Sequence, residues 1–202
     1  MHQFEVFFDC ETKTFFDADN RFDPSKLGAS IVSLYIREID ENFKEVKGEM
    51  ISFLEKDIKK SLEYFQKANR VIGFNSISFD VPVLTPYLGE GFVKLPHFDI
   101  LTHVRENHGK RVSLNSLARG TLGSEKNDSG ENAILYFQKG DEESLSKLKK
   151  YCEMDVEITK NIYDFGFKNN YLKFIDFWNE ERKVEVDFSY PKVEEKLQAS
   201  LF

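Results

Sequence analysis

Cysteine, histidine and net positive charge are all in short supply in this 202-residue chain, and each shortage closes off a class of protein. Two cysteines, Cys10 and Cys152, do not make the disulfide framework of a small secreted domain. Zinc binding would need further Cys or His ligands, which neither has nearby. His97 and His103 flank Phe98-Asp99-Ile100-Leu101, but neither has the partners of a general base or a zinc ligand. No apolar run approaches the length of a membrane span, and the N-terminus opens on a strand-like segment rather than a basic-then-apolar leader. A soluble cytoplasmic protein with no membrane partner is expected. Repeats and long low-complexity tracts are also missing. The net charge of −7 argues against a tight grip on a long duplex, where lysine and arginine supply much of the affinity through counterion release.

What is present is enough apolar material, 41% of residues, to bury one substantial core. Residues 4–10, 29–39 and 43–53 read as strands, the second pair joined by a tight turn at Asp40-Glu41-Asn42. A helix is expected over Lys56–Ala68, a strand over 70–75, a helix from Ser78 to Leu88 and a strand over 97–101. Helices follow near 113–120, 142–169 and 171–182. Strands alternating with helices after an early meander predict an α/β fold with a mixed central sheet flanked by helices. The domain is expected to span 1–182. The remainder, 183–202, reads as a C-terminal extension with a β-like patch at Val184–Phe188 and a weak helix after Pro191. Gly123–Glu131, rich in Gly, Ser, Asn and charge, reads as a mobile loop.

Four acids stand out against this background. Asp9 and Glu11 end the apolar run Phe4-Glu5-Val6-Phe7-Phe8, and side chains two apart on a strand share a face. Asp80 lies between the strand-like Val71–Asn75 and the helix-like Val81–Leu84, at a strand-to-helix junction where sheet proteins build sites. Tyr151 and Asp155 are four apart in an amphipathic helix, so they stack on one face. Carboxylates gathered in a dry cleft either take up protons or are neutralised by cations. All-oxygen ligands favour Mg²⁺ or Mn²⁺, and two such ions can drive phosphodiester hydrolysis. Asp-x-Glu alone is a weak signal, because it recurs at Asp141/Glu143 and Asp155/Glu157. Only the copy at residue 9 closes an apolar strand.

At these positions the chain resembles the DEDD superfamily of 3′-to-5′ exonucleases, which have an RNase H-like fold, and Tyr151 points to its DEDDy branch. The sister branch has a histidine five residues before the last aspartate, where this chain has Lys150. The resemblance implies that Asp9, Glu11, Asp80 and Asp155 bind two metal ions and that Tyr151 positions the attacking water. It extends through Ser113-Leu114-Asn115-Ser116-Leu117-Ala118 and Thr121-Leu122-Gly123 to Tyr151-Cys152. That stretch looks like the bacterial exonuclease domains, predicted from sequence, that occur alone or with helicases. The implied substrate is a single-stranded DNA or RNA 3′ end, and a helicase is an implied partner. A non-catalytic or partner-activated nucleic-acid-binding module on the same fold is the alternative.

Around the acids, several residues admit two readings. Thr12 and Phe16 begin a polar segment after the first motif. Phe15 and Phe16 could stack on a terminal base, since stacking tolerates any base, or pack against the sheet. Asn75 could contact substrate or brace Asp80, and Ser78 could cap the helix that Asp80 enters. Asp99 could support the site or cap a helix. The basic residues of Arg105–Arg111, with Arg119, Lys126 and Lys139, could form a phosphate track or a scatter of solvated charges.

Overall fold

The computed structural model describes residues 3–17, 22–124 and 130–190. Five strands form one mixed sheet in the order β3-β2-β1-β4-β5. Strand β1 (Gln3–Thr12) runs antiparallel to β2 (Ala29–Ile39), which pairs with β3 (Glu45–Leu54). On its other side β1 runs parallel to β4 (Arg70–Gly73), and β4 to β5 (His97–Asp99). The α/β architecture with a mixed, helix-flanked sheet is therefore as expected.

The period-2 alternation of β1 separates two layers of core. Val6, Phe8 and Cys10 face the 3₁₀ helix Glu55–Ser61 and the helices α1 (Leu62–Lys67), α2 (Asp80–Leu88) and α3 (Glu90–Val93), burying Ile58, Phe65, Leu84 and Phe92. Phe7 faces the opposite layer, with Val156, Ile162 and Tyr163 of the long helix. The elements on that side are α4 (Ile100–His108), α5 (Leu114–Leu117), a π-helical turn (Ala118–Leu122), α6 (Gly130–Lys139) and α7 (Glu142–Asn169). Asp141 caps α7 by accepting from the Ser144 N–H, and Asn170 closes it in the left-handed conformation.

Four expectations need correction. The helix over Lys56–Ala68 is split into the 3₁₀ segment and α1. The turn after β2 runs to Lys44, because Asp40 Oδ1 accepts from the N–H groups of both Asn42 and Lys44. Helices α4 and α6 were not anticipated. Residues 171–182 are not a helix: β6 (Tyr171–Ile175) and β7 (Glu181–Glu185) form an antiparallel hairpin, in which Leu172 and Phe174 alternate inward. The expected boundary after residue 182 thus falls inside β7, and Val184, Val186 and Phe188 are buried in the main core. The weak helix after Pro191 and most of the predicted loop at Gly123–Glu131 lie outside the described residues.

A buried polar lock fastens this C-terminal segment to the start of β1. Glu5 accepts from Arg37 Nε at 2.6 Å and from Tyr163 Oη at 2.9 Å, and it also accepts from Tyr190. Arg70 donates to the carbonyls of Phe188 and Ser189 and to Tyr163 Oη. Arg37 is held charged by the adjacent Glu5 and Asp164 carboxylates despite burial. Gly166 leaves room for Phe188, whose ring would lie 2.2 Å from a Cβ at that position.

Candidate metal centre

The candidate site forms at the far end of β1 from this lock. Strand parity aims Asp9 and Glu11 at α7, and Asp155 on α7 meets them: each of the three offers a carboxylate oxygen, all within 4.8 Å of one another. Asp155 is buried, whereas Asp9 and Glu11 are half-buried. The pairing register of β1 with β2 shifts between Glu11 and Thr12, a bulge of the kind that re-aims side chains beside sites. Three carboxylates at this separation repel, so the donor set fits a hard divalent cation such as Mg²⁺ or Mn²⁺.

Asp80 approaches from the opposite layer. Strand β4 pairs with β1 only as far as Phe7, and beyond that point Asp80 Oδ1 accepts the Cys10 N–H at 3.0 Å. Asp80 lines the same cleft but stands outside the tight three-carboxylate group. Burial pushes its pKa up to about 7, with the nearby Asp99 charge adding to the shift against the stabilising Cys10 hydrogen bonds. The N-terminal residue of α2 is Asp80 itself and Phe79 precedes it without a side-chain cap, so Ser78 is not the cap.

Asp99 does both tasks the sequence left open. It caps α4 by accepting from the Leu101 and Thr102 N–H groups, and it accepts from the N–H groups of Asn75 and Ile77. Asn75 adopts φ 60 and its carbonyl accepts from the Phe79 N–H, so its backbone turns the chain into α2. A Cβ at the preceding Gly73 would lie 2.5 Å from Ser76, which fixes how tightly this turn folds.

The cleft encloses about 410 Å³. Thr12, Phe16 and Asn75 line it with the four acids, and Phe16 meets Phe79 edge to face at 6.1 Å. Phe79 is not singled out by the sequence reading, although it directly precedes Asp80. Nor are Glu131 and Ile134, which α6 brings to the wall; the apolar run from Ala133 to Phe137 was the available signal. Arg111 reaches the cleft, whereas Arg105, Lys110, Arg119 and Lys139 are not in its lining; Lys126 lies outside the described residues. Tyr151 lies off the cleft wall. It packs with Ile31, Ala133, Leu148 and Cys152 under the cover of α6.

Both thiols are buried and held in their neutral form. Burial raises the pKa of both Cys10 and Cys152, reinforced by the surrounding carboxylates, and the Cys152 Sγ donates to the Asp9 carbonyl at 3.4 Å. His97 is bonded to the Phe92 carbonyl and His103 stacks on Phe98, both away from the acids. No helix among the described residues is long and apolar enough to cross a membrane.

One solved structure, described as the apo form of a nuclease, shares 14% identity with a TM-score of 0.47, over 81% of this chain and 70% of its own. No curated protein matches the chain. A family model for the RNase H superfamily matches residues 6–165, a span that runs from β1 through α7 and takes in every acid of the site; the chain belongs to the RNase H superfamily.

Proposed function

We propose that the protein is a metal-dependent 3′-to-5′ exonuclease of the DEDDy type, releasing nucleoside monophosphates from single-stranded 3′ ends. The convergence of Asp9, Glu11 and Asp155 from two segments far apart in sequence carries this reading. Nothing in the packing of an α/β sheet calls for three carboxylates within 4.8 Å of one another.

Asp9, Glu11 and Asp155 would hold one divalent ion, with Asp9 shared by a second that Asp80 assists. When bound, such ions supply an activated water, a polarised phosphoryl group and a stabilised leaving oxygen. The chain's own residues do the rest by positioning. Cys10 N–H occupies Asp80 Oδ1 and so selects the oxygen Asp80 can offer. Phe16 and Phe79 form an aromatic edge at the cleft, suited to a terminal base of any identity. Thr12 and Asn75 add polar groups to the wall. Tyr151, one turn before Asp155 on α7 but packed behind the cleft wall, is assigned a positioning role, orienting the nucleophile from behind the acids rather than from the cleft lining.

The test is digestion of 5′-labelled single-stranded DNA and RNA by the wild type, Asp9→Asn, Asp155→Ala and Tyr151→Phe with Mn²⁺, Mg²⁺ or EDTA. A ladder shortening from the 3′ end is expected with metal only. It should vanish in both aspartate variants and slow by a smaller factor in Tyr151→Phe. Unchanged hydrolysis by Asp9→Asn would overturn the metal assignment. Metal binding without cleavage of either polymer would favour a partner-activated binding module.

A further inference from the structure

A second cleft, about 750 Å³ in volume, adjoins the first, and Arg111 lines both. Lys110, Arg111 and Ser113, between α4 and α5, form one wall; Phe177 and Trp178, at the tip of the β6–β7 hairpin, form another. Phe177 is 95% exposed and Trp178 72%, an unusual placement for two adjacent aromatic rings.

These rings are not on a loose loop. Asp176 accepts from the N–H groups of Trp178 and Glu180 and from Arg182, and Asn179 closes the turn with φ 62. Arg119 reaches Asn179 Oδ1 at 3.0 Å, and Thr121 Oγ1 donates to the Lys173 carbonyl at 2.6 Å. A Cβ at Gly120 would lie 2.6 Å from the Phe174 backbone, so the π-helical turn and the hairpin touch main chain to main chain. A backbone fixed in advance loses little freedom when the rings it carries are engaged.

Charge identifies the occupant. Arg182 is already neutralised by Asp176 and Glu180. Among the described residues Lys110 and Arg111 take part in no ion pair, and the one carboxylate lining this cleft is Asp176, itself engaged by Arg182. In a chain of net charge −7, this is a local seat for a polyanion with planar, stackable groups. We propose that the second cleft binds the single strand on the 5′ side of the terminal nucleotide, with phosphates on Lys110 and Arg111 and one or two bases stacked on Phe177 and Trp178. This rests on the exonuclease reading of the first cleft, which supplies the direction of the strand. It also accounts for how an acidic protein holds a nucleic acid: the footprint is short and the cations are confined to it.

Trp178 is the chain's sole tryptophan, so its fluorescence reports on this cleft alone. The full chain in EDTA is titrated with a mononucleotide and with short oligomers of thymidylate and uridylate. Oligomers should quench the fluorescence and the mononucleotide should not. Trp178→Ala should weaken binding of a labelled oligomer by about 5- to 100-fold, with Trp178→Phe restoring most of it. Lys110→Gln should weaken binding and lower the salt slope by about one. Metal-dependent trimming with no quenching, and an unchanged KM in Trp178→Ala, would overturn the cleft and leave the exonuclease standing. Quenching without hydrolysis would do the reverse. Loss of self-association in Trp178→Ala, with oligomer binding intact, would make the hairpin tip a contact between copies of the chain and overturn the proposal.

Discussion

At the scale of single residues, Asp80 is the group whose environment makes the sharpest demand. Its folded pKa, raised by burial to about 7, lies above the usual carboxylate value near 4. In the metal-free protein the folded state therefore holds this proton more tightly than the unfolded chain does. Its contribution to stability is fully present below about pH 4, falls as the pH rises, and is lost above about pH 7, for a total of up to roughly 4 kcal/mol. Asp80→Asn keeps an acceptor for the Cys10 N–H and removes the titration. Urea unfolding in EDTA should show the variant more stable than the wild type at pH 8, with the gap narrowing toward pH 5. A gap that does not change with pH would remove burial as the cause.

At the scale of elements, the β6–β7 hairpin and the strand-like tail that follows are structural members of the domain. A chain ending at Arg182 loses the buried Val184, Val186 and Phe188 together with both carbonyls that receive Arg70. At about 1.5–3 kcal/mol for each buried apolar side chain, the loss is roughly 5 kcal/mol or more, comparable with the whole stability of a typical domain. Thermal unfolding should show the truncated chain poorly folded or unfolded; an unchanged midpoint would restore the separable extension. The elements differ in how well the sequence announces them. Strand β1 is legible as a short apolar run covered on both faces, and helix α7 because its buried positions recur every three to four residues. The hairpin is hard to read because Leu172 and Phe174 alternate over only five residues, and the strand that pairs with them, Glu181–Glu185, is charged at all positions but Val184. Pairing at that distance depends on Gly120 and Thr121, which no local pattern points to. The same logic separates the site residues. Face periodicity pairs Asp9 with Glu11 on the strand, but that Asp155 meets them is legible only from the order of the motifs and the family resemblance. That periodicity put Tyr151 on the face of Asp155, but the position of α6, which covers Tyr151, was not readable from it.

At the scale of the whole molecule, the cluster of Asp9, Glu11 and Asp155 is a source of repulsion that a bound cation would relieve. Ligands that bind only the native state raise its melting temperature by mass action, so Mn²⁺ or Mg²⁺ should stabilise the wild type in differential scanning fluorimetry, and Asp9→Asn or Asp155→Ala should abolish the shift. An equal shift in the variants would place the ions elsewhere. Opposite ends of one strand carry the two polar centres of the molecule: Glu5, in the lock with Arg37 and Tyr163, and Asp9 with Glu11, in the acidic group. All three have odd numbers, and so does Phe7 between them. Deleting a single codon between Glu5 and Asp9 would therefore not be a graded lesion. It would throw one centre or the other onto the wrong side of the sheet, so the two centres are tied together by the parity of this strand, which any odd change in its length would break.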